Sequence, residues 1–284
     1  MMRKSNICIL FSTDIGGFDE YWEGKKLREN QTIATVHRYT TATMVAYGLL
    51  ENLDIYAGVP YVMTRSTQPN GGKFTGASGF QDVMIAAKYE AYKGNFSIGE
   101  LSLLASAGFS TPISNYLSDY MPYSLGHGAP EVSARGIVQF TTNSGIYFRT
   151  SVAHLWRGYT EAERNYYYND GSYYTAWMDV PNAWNYEGVF GAWFFKKSLK
   201  AEVNYSGLKS TSGDDIRAYN AAQPTNRVKT DRVGLNLQYY LPNSGFGAVV
   251  YHSRVIEGQN TAKMNNTGVG LTYQFSFKKK NHEE

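Results

Sequence analysis

The residues of this chain best able to do chemistry are single charges set on alternating segments. Asp54, Asp82, Lys88, Glu90, Glu100, Arg135, Arg149, Glu187, Lys200, Glu202 and Arg232 each fall on the polar side of such a segment. A strand points successive side chains to opposite faces, so these charges share one face while Leu, Val, Ala and aromatic residues share the other. Charges of both signs on the inner face of a closed sheet would line a polar passage and set what crosses it. The plainer alternative is a network of ion pairs that fills a narrow interior, because an unpaired charge there is costly. A second concentration of chemistry is aromatic. Tyr166, Tyr167, Tyr168, Tyr173, Tyr174 and Trp177 crowd one polar connection. They could capture an apolar or aromatic ligand, or simply pack at a lipid boundary. A weaker expectation is that the connection at residues 112–130, with Tyr116, Tyr120, Met121 and Tyr123, folds inward and narrows a pore.

Catalytic arrangements are not expected. His252 and Ser253 are adjacent, so on a strand they face opposite ways and cannot pair as base and nucleophile. His154 has Val152 and Trp156 two residues away on its own face, where a serine would be needed, and Ser151 falls on the other face. The segment at residues 71–75 lacks the glycine and lysine spacing of a phosphate loop. Asp214 with Asp215, and Asn169 with Asp170, read as turn residues more readily than as calcium ligands. Cys8 is the single cysteine, which leaves no internal disulfide and no cysteine-rich zinc site. No cofactor and no metal are expected.

The elements that would hold these residues are strands. Leu53, Ile55, Ala57, Val59, Tyr61 and Met63 alternate with Asp54, Tyr56, Gly58 and Pro60. Leu101, Leu103, Ala105, Ala107 and Phe109 alternate with Glu100, Ser102, Ser106 and Gly108, and Val269, Leu271, Tyr273, Phe275 and Phe277 alternate with Gly270, Thr272, Gln274 and Ser276. Short turns are expected at 49–52, 92–95, 143–145, 196–198 and 243–245. Long polar connections are expected at 13–30, 65–79, 112–130, 159–182, 210–227 and 257–266. Short turns at one end and long loops at the other, joining segments of about ten residues, make an outer-membrane barrel pattern. Strands are counted from residue 31 onward, and residues 6–12 supply one more to give an even twelve. The fold class expected is therefore all-β, a transmembrane antiparallel up-and-down barrel of 12 strands.

Composition agrees. Aromatic residues make up 15% of the chain with 24 tyrosines, and charged residues only 18% at a net charge of +3. That gives no basic footprint for nucleic acid. The mean hydropathy of −0.40 is compatible with a membrane barrel, in which only alternate residues meet lipid. A soluble sandwich or lipocalin-like barrel also alternates, but here small and charged residues share the polar face while aromatics gather near segment ends. Arg3 and Lys4 precede an apolar run at residues 7–11 that is too short for a signal peptide core. Export information is therefore expected to be missing from this chain.

Particular residues resemble a known family. Tyr47, Gly48 and Leu49, followed by an alternating strand and the pair Pro60–Tyr61, are similar to the second and third strands of the outer-membrane family labelled "putative MetA-pathway of phenol degradation". Gly79, Phe80, Gln81 and Asp82, then Ala87, Lys88 and Tyr89, resemble its next strand, with Gln81 where the family has a small residue. Residues 13–19 resemble its first outer loop and 268–277 its closing strand. The resemblance runs from about Thr13 to Phe277. It implies a barrel related to channels for hydrophobic and aromatic compounds, and it does not identify a solute. The division expected is an abbreviated first strand or export remnant at 1–12, one barrel at 13–277 and a charged tail at 278–284, the tail a departure from the aromatic end that barrel assembly reads. The expected function is passive passage of small, hydrophobic or aromatic compounds across the cell outer membrane, and no enzyme. The alternative is a closed structural barrel that binds a ligand or adheres. Expected partners are membrane lipid and lipopolysaccharide, the barrel assembly machinery and a small-molecule solute.

Overall fold

The computed structural model describes residues 1–168, 173–216 and 222–277. The chain forms β1 (Asn6–Phe18), β2 (Glu20–Glu23), β3 (Lys26–Glu29), β4 (Val36–Leu50), β5 (Leu53–Ser66), β6 (Ser78–Phe80), β7 (Asp82–Phe96), β8 (Gly99–Pro112), β9 (Glu131–Thr142), β10 (Ile146–Arg157), β11 (Tyr159–Tyr168), β12 (Tyr173–Asp179), β13 (Ala183–Phe194), β14 (Leu199–Ser210), β15 (Lys229–Tyr240), β16 (Phe246–Gln259) and β17 (Asn265–Ser276). Twelve of these are the staves of a closed antiparallel barrel. Closure comes from β1, which pairs with β17 from Asn6↔Ser276 to Gly17↔Asn265 and with β4 from Ile7↔Tyr47 to Phe18↔Val36. No sheet edge is then left to satisfy, as a lipid-facing backbone requires.

Strand β6 continues the wall above β7. β5 pairs with β7 up to Gly58↔Met84 and with β6 from Tyr61↔Phe80. Pro60 stands in the break between them, where its missing N–H costs no ladder bond. Hairpins β2–β3 and β11–β12 stand beyond the wall at the long-loop end.

Three expectations are corrected here. Residues 13–18 are strand and not loop, so β1 is 13 residues long and is not abbreviated. Their glycines and Asp14 resemble a turn, but the two neighbouring ladders satisfy the backbone. The turn expected at 92–95 lies instead at residues 97–98, because Gly94↔Leu101 and Asn95↔Glu100 continue the β7–β8 ladder past a bulge at Glu90/Tyr92. The connection expected at 257–266 shrinks to residues 260–264 as β16 runs to Gln259.

The outer face is apolar. Phe11, Ile85, Phe109, Phe148, Phe190, Leu235 and Leu271 are all exposed on it, an arrangement stable only against hydrocarbon. Trp156, Trp184 and Tyr205 face outward near the long-loop end, and Phe96, Phe194, Phe246 and Tyr273 near the short turns. These are the two aromatic girdles of a membrane barrel.

Tyrosines lie across glycines between neighbouring staves. The directly opposed pairs are Tyr147↔Gly191, Tyr186↔Gly207 and Tyr251↔Gly268. A Cβ at these glycines would come within 2.4, 2.3 and 2.3 Å of the ring's Cζ. The bare glycine thus accepts the ring flat on the sheet, which pins register. Gly191→Ala is expected to push Tyr147 off the wall and to destabilise the barrel by about 1–3 kcal/mol. The shift from folded to unfolded gel mobility across a urea series measures it.

At the outer end Asn260 ties three connections together. Its Nδ2 donates to Asp215 Oδ1 and to the Arg227 carbonyl, both at 2.7 Å, while its Oδ1 accepts from the N–H of Gly24 at 2.8 Å and of Ile216 at 3.1 Å. All four side-chain possibilities of this buried amide are used.

Candidate functional site

Alternation on the staves carries the charges inward. A cavity of about 580 Å³ in the lumen is lined by Lys88, Glu90, Lys93, Glu100, Arg135, Arg149 and Glu187, with Ser102, Gln139, Ser151, Asn185 and Ser206 between them. Asp54 is fully buried and is approached by the Met2 N–H at 3.2 Å, by Tyr56 Oη at 3.1 Å and by Lys88 Nζ at 3.7 Å. Glu202 is the most connected charge. It accepts from Tyr147 Oη and, at 2.7 Å, from Asn236 Nδ2, and it stands 3.5 Å from Lys200 Nζ and 3.9 Å from Arg149. Arg149 also lies 3.9 Å from Glu187. Lys93 and Glu100 pair at 3.1 Å toward the short-turn rim. Arg135 donates to neutral partners, Ser151 Oγ at 2.9 Å and Asn185 Oδ1 at 2.8 Å. Arg232 lies opposite the inward Ser206 and shares its face. Asp82 accepts from Tyr116 Oη at 2.6 Å. The acids and bases thus interleave around the wall and balance locally.

The outer half of the lumen is filled differently. Residues 113–130 fold inward, as the weaker sequence expectation had it. Thr64 Oγ1 donates to the Tyr123 carbonyl at 2.7 Å, Tyr123 Oη shares a 2.7 Å bond with Ser66, and Arg38 donates to the Leu125 carbonyl at 2.5 Å and the Ser124 carbonyl at 3.3 Å. Tyr123, Phe18, Ile33 and Val36 form a buried apolar cluster there, with Phe74 and Met264 against it. Ser118, Ser124 and Leu125 are buried as well. Within this loop His127 is half-buried with its Nδ1 shielded from water, and desolvation with Arg157 and Arg38 nearby pushes its imidazole down from 6.5 to about 4.

Arg38 and Asp14, two inward charges that alternation did not single out, belong to this upper region, where Tyr251 Oη donates to Asp14 at 3.1 Å. Arg38 was hidden because Thr40, Thr41 and Thr43 place polar residues on both faces of β4. Asp14 was hidden by the reading of residues 13–30 as a loop.

The aromatic cluster falls on the β11–β12 hairpin. Tyr174 and Trp177 are 60% and 57% exposed, on a hairpin that projects past the wall. The side chains of Tyr166, Tyr167, Tyr168 and Tyr173 lie outside the described residues, as do Asn169 and Asp170. His252 faces outward and shares a 2.8 Å bond with Thr267 Oγ1, while Ser253 takes the other face. His154 is wedged outward between Trp156 and Trp184, with ring centroids 4.5 and 4.6 Å away. Asp214 and Asp215 accept bonds from Asn226, Asn260 and Gln259, and among the described residues no group of three His, Cys, Asp or Glu could hold a metal ion.

Known proteins resemble this arrangement. The family described as "Putative MetA-pathway of phenol degradation" matches residues 28–278. The crystal structure of the COG4313 outer membrane channel from Pseudomonas putida F1 superposes with a TM-score of 0.77 over 97% of each chain, at 11% identity. The translocator domain of the autotransporter NalP from Neisseria meningitidis follows at 0.52, covering 96% of this chain and 90% of that one at 12% identity. The KdgM porin in complex with disordered oligogalacturonate stands at 0.50, with 94% and 99% covered at 9% identity. At such identities the likeness is one of fold. Among curated proteins none matches.

Proposed function

The chain belongs to the family described as "Putative MetA-pathway of phenol degradation", and on that premise we propose that it is a passive outer-membrane channel for small polar solutes. The observation that carries the proposal is the lumen cavity of about 580 Å³, whose wall mixes paired acids and bases with serine, glutamine and asparagine. Such a wall replaces the hydration shell of a polar or zwitterionic solute. A wholly hydrophobic compound would meet little apolar surface there, chiefly Leu104 and Ile137, and would displace water from charges without compensation. The aromatic compounds that the family resemblance implies therefore fit this lumen when they carry a polar or charged group. Local balance of charge also favours weak discrimination between cations and anions.

A second reading is supported by the inward loop at 113–130, whose buried contacts fill the outer half of the lumen. On that reading the barrel is closed at rest and conducts only when the loop leaves. Conductance of the protein in planar bilayers, together with swelling of proteoliposomes in small sugars and amino acids, tests both. Discrete channel steps with a potassium-to-chloride permeability ratio near one are expected. Absence of steps and of swelling at both neutral and acid pH would overturn the channel proposal.

A further inference from the structure

A second cavity, of about 470 Å³, opens at the outer end between β6, the inward loop and β11, and it shares no lining residue with the lumen cavity. Its floor is made of Ala77, Ser78 and Gly79, whose side chains are too small to fill it. A Cβ added at Gly79 would stand 3.1 Å from Leu125 Cδ1 and 3.6 Å from Ser114 Oγ. Its wall is aromatic. Phe74 meets Tyr120 and Tyr123 edge-on, with centroids 5.0 Å apart in both pairs and planes at 76° and 86°. Its rim carries Asn115 and the carboxylate of Glu163.

Two further observations mark the cavity as a site. Leu117 and Tyr120 on its lining are 41% and 42% exposed, apolar surface left to water beside the buried Ser118, Tyr123 and Leu125. The wall is also held in advance of any ligand. Tyr123 is fixed at both its carbonyl and its hydroxyl, and Leu125 by Arg38. Tyr116 donates to Asp82 and accepts from the Gly128 N–H at 3.0 Å. Little ordering entropy would then oppose binding.

We infer that this pocket binds a single-ring aromatic compound bearing an amine. The small residues Ser78 and Gly79 of β6 leave room beside the aromatic wall, and edge-to-face contact with Phe74, Tyr120 and Tyr123 rewards an aromatic over a saturated ring. The carboxylate of Glu163 only accepts hydrogen bonds, so it selects an ammonium or hydroxyl donor over a carboxylate. An ammonium near the aromatic wall also gains cation–π attraction. The inference stands apart from transport, and its test reads binding and not flux.

The test is saturation-transfer NMR on the full chain in lipid nanodiscs, with 2-phenylethylamine as probe. Phenylacetate and 2-cyclohexylethylamine serve as the charge and ring controls. The amine is expected to bind at least about tenfold more tightly than either control. Gly79→Leu, checked for folding by heat-modifiable gel mobility, is expected to abolish the signal by filling the slot. Glu163→Gln, a change at the exposed rim, is expected to keep ring binding and lose the preference for amine over carboxylate. No transfer to the amine at millimolar concentration, equal binding by the controls, or undiminished binding by Gly79→Leu would each overturn the inference.

Discussion

Acidifying the outer side from neutral to about pH 4 is expected to raise single-channel conductance several-fold, and His127→Gln is expected to remove that response. The imidazole of His127 is held down near 4, first by desolvation and then by Arg157 and Arg38. In a loop swung out into water it would return to the ordinary value near 6.5. The released loop therefore binds a proton between these limits and the inward loop does not. Stability of the inward loop is full above about 6.5, falls as pH drops through the window down to about 4, and is flat below. A difference of this size corresponds to about 3 kcal/mol, enough to change the ratio of closed to open loop by about a hundredfold. Two arginines stand beside the imidazole, Arg38 and Arg157, the latter paired with Glu131 at 2.8 Å, and both oppose a charge on His127. The comparison that decides is conductance against pH for the chain and for His127→Gln. Identical curves would remove His127 from any role in holding the loop.

Glu202→Gln is expected to destabilise the barrel by about 2–3 kcal/mol and to shift the channel toward anions. Glu202 is 7% exposed and is the shared partner of Tyr147, Asn236, Lys200 and Arg149. Breaking a buried pair from one side leaves the other charges uncompensated, and this costs more than the pair itself contributes. Lumen water moderates the loss, which is why the figure falls at or below the foot of the roughly 3–5 kcal/mol usual for a fully buried pair. The amide can still accept from Tyr147, but it no longer neutralises Lys200 and Arg149. A urea series followed by gel mobility reads the stability. The reversal potential in a salt gradient reads the selectivity. An unchanged reversal potential would show that Glu202 lies off the ion path.

Much of this protein follows from a period of two. Alternation alone assigned Asp54, Lys88, Arg135, Arg149, Glu187 and Glu202 to one face and Leu, Val and Phe to the other, because side chains of an extended chain must alternate. An even strand count and long loops at one end follow from closure across a membrane. Local signals failed where a ladder overrode them. Gly94 and Asn95 look like a turn and are strand, because Leu101 and Glu100 pair with them. Gly16 and Gly17 look like a loop and are strand for the same reason.

What the sequence determined by itself was which face of each stave is polar and how many staves close the sheet, since both are one-dimensional periodicities. What only the tertiary structure decided was which charges meet, that residues 113–130 tuck into the lumen, and that Ser78 and Gly79 of β6 line one cavity with Tyr120 and Tyr123 of that loop. Those contacts join residues tens to hundreds of positions apart, and they are set by the register and curvature of the closed wall, which no local pattern encodes.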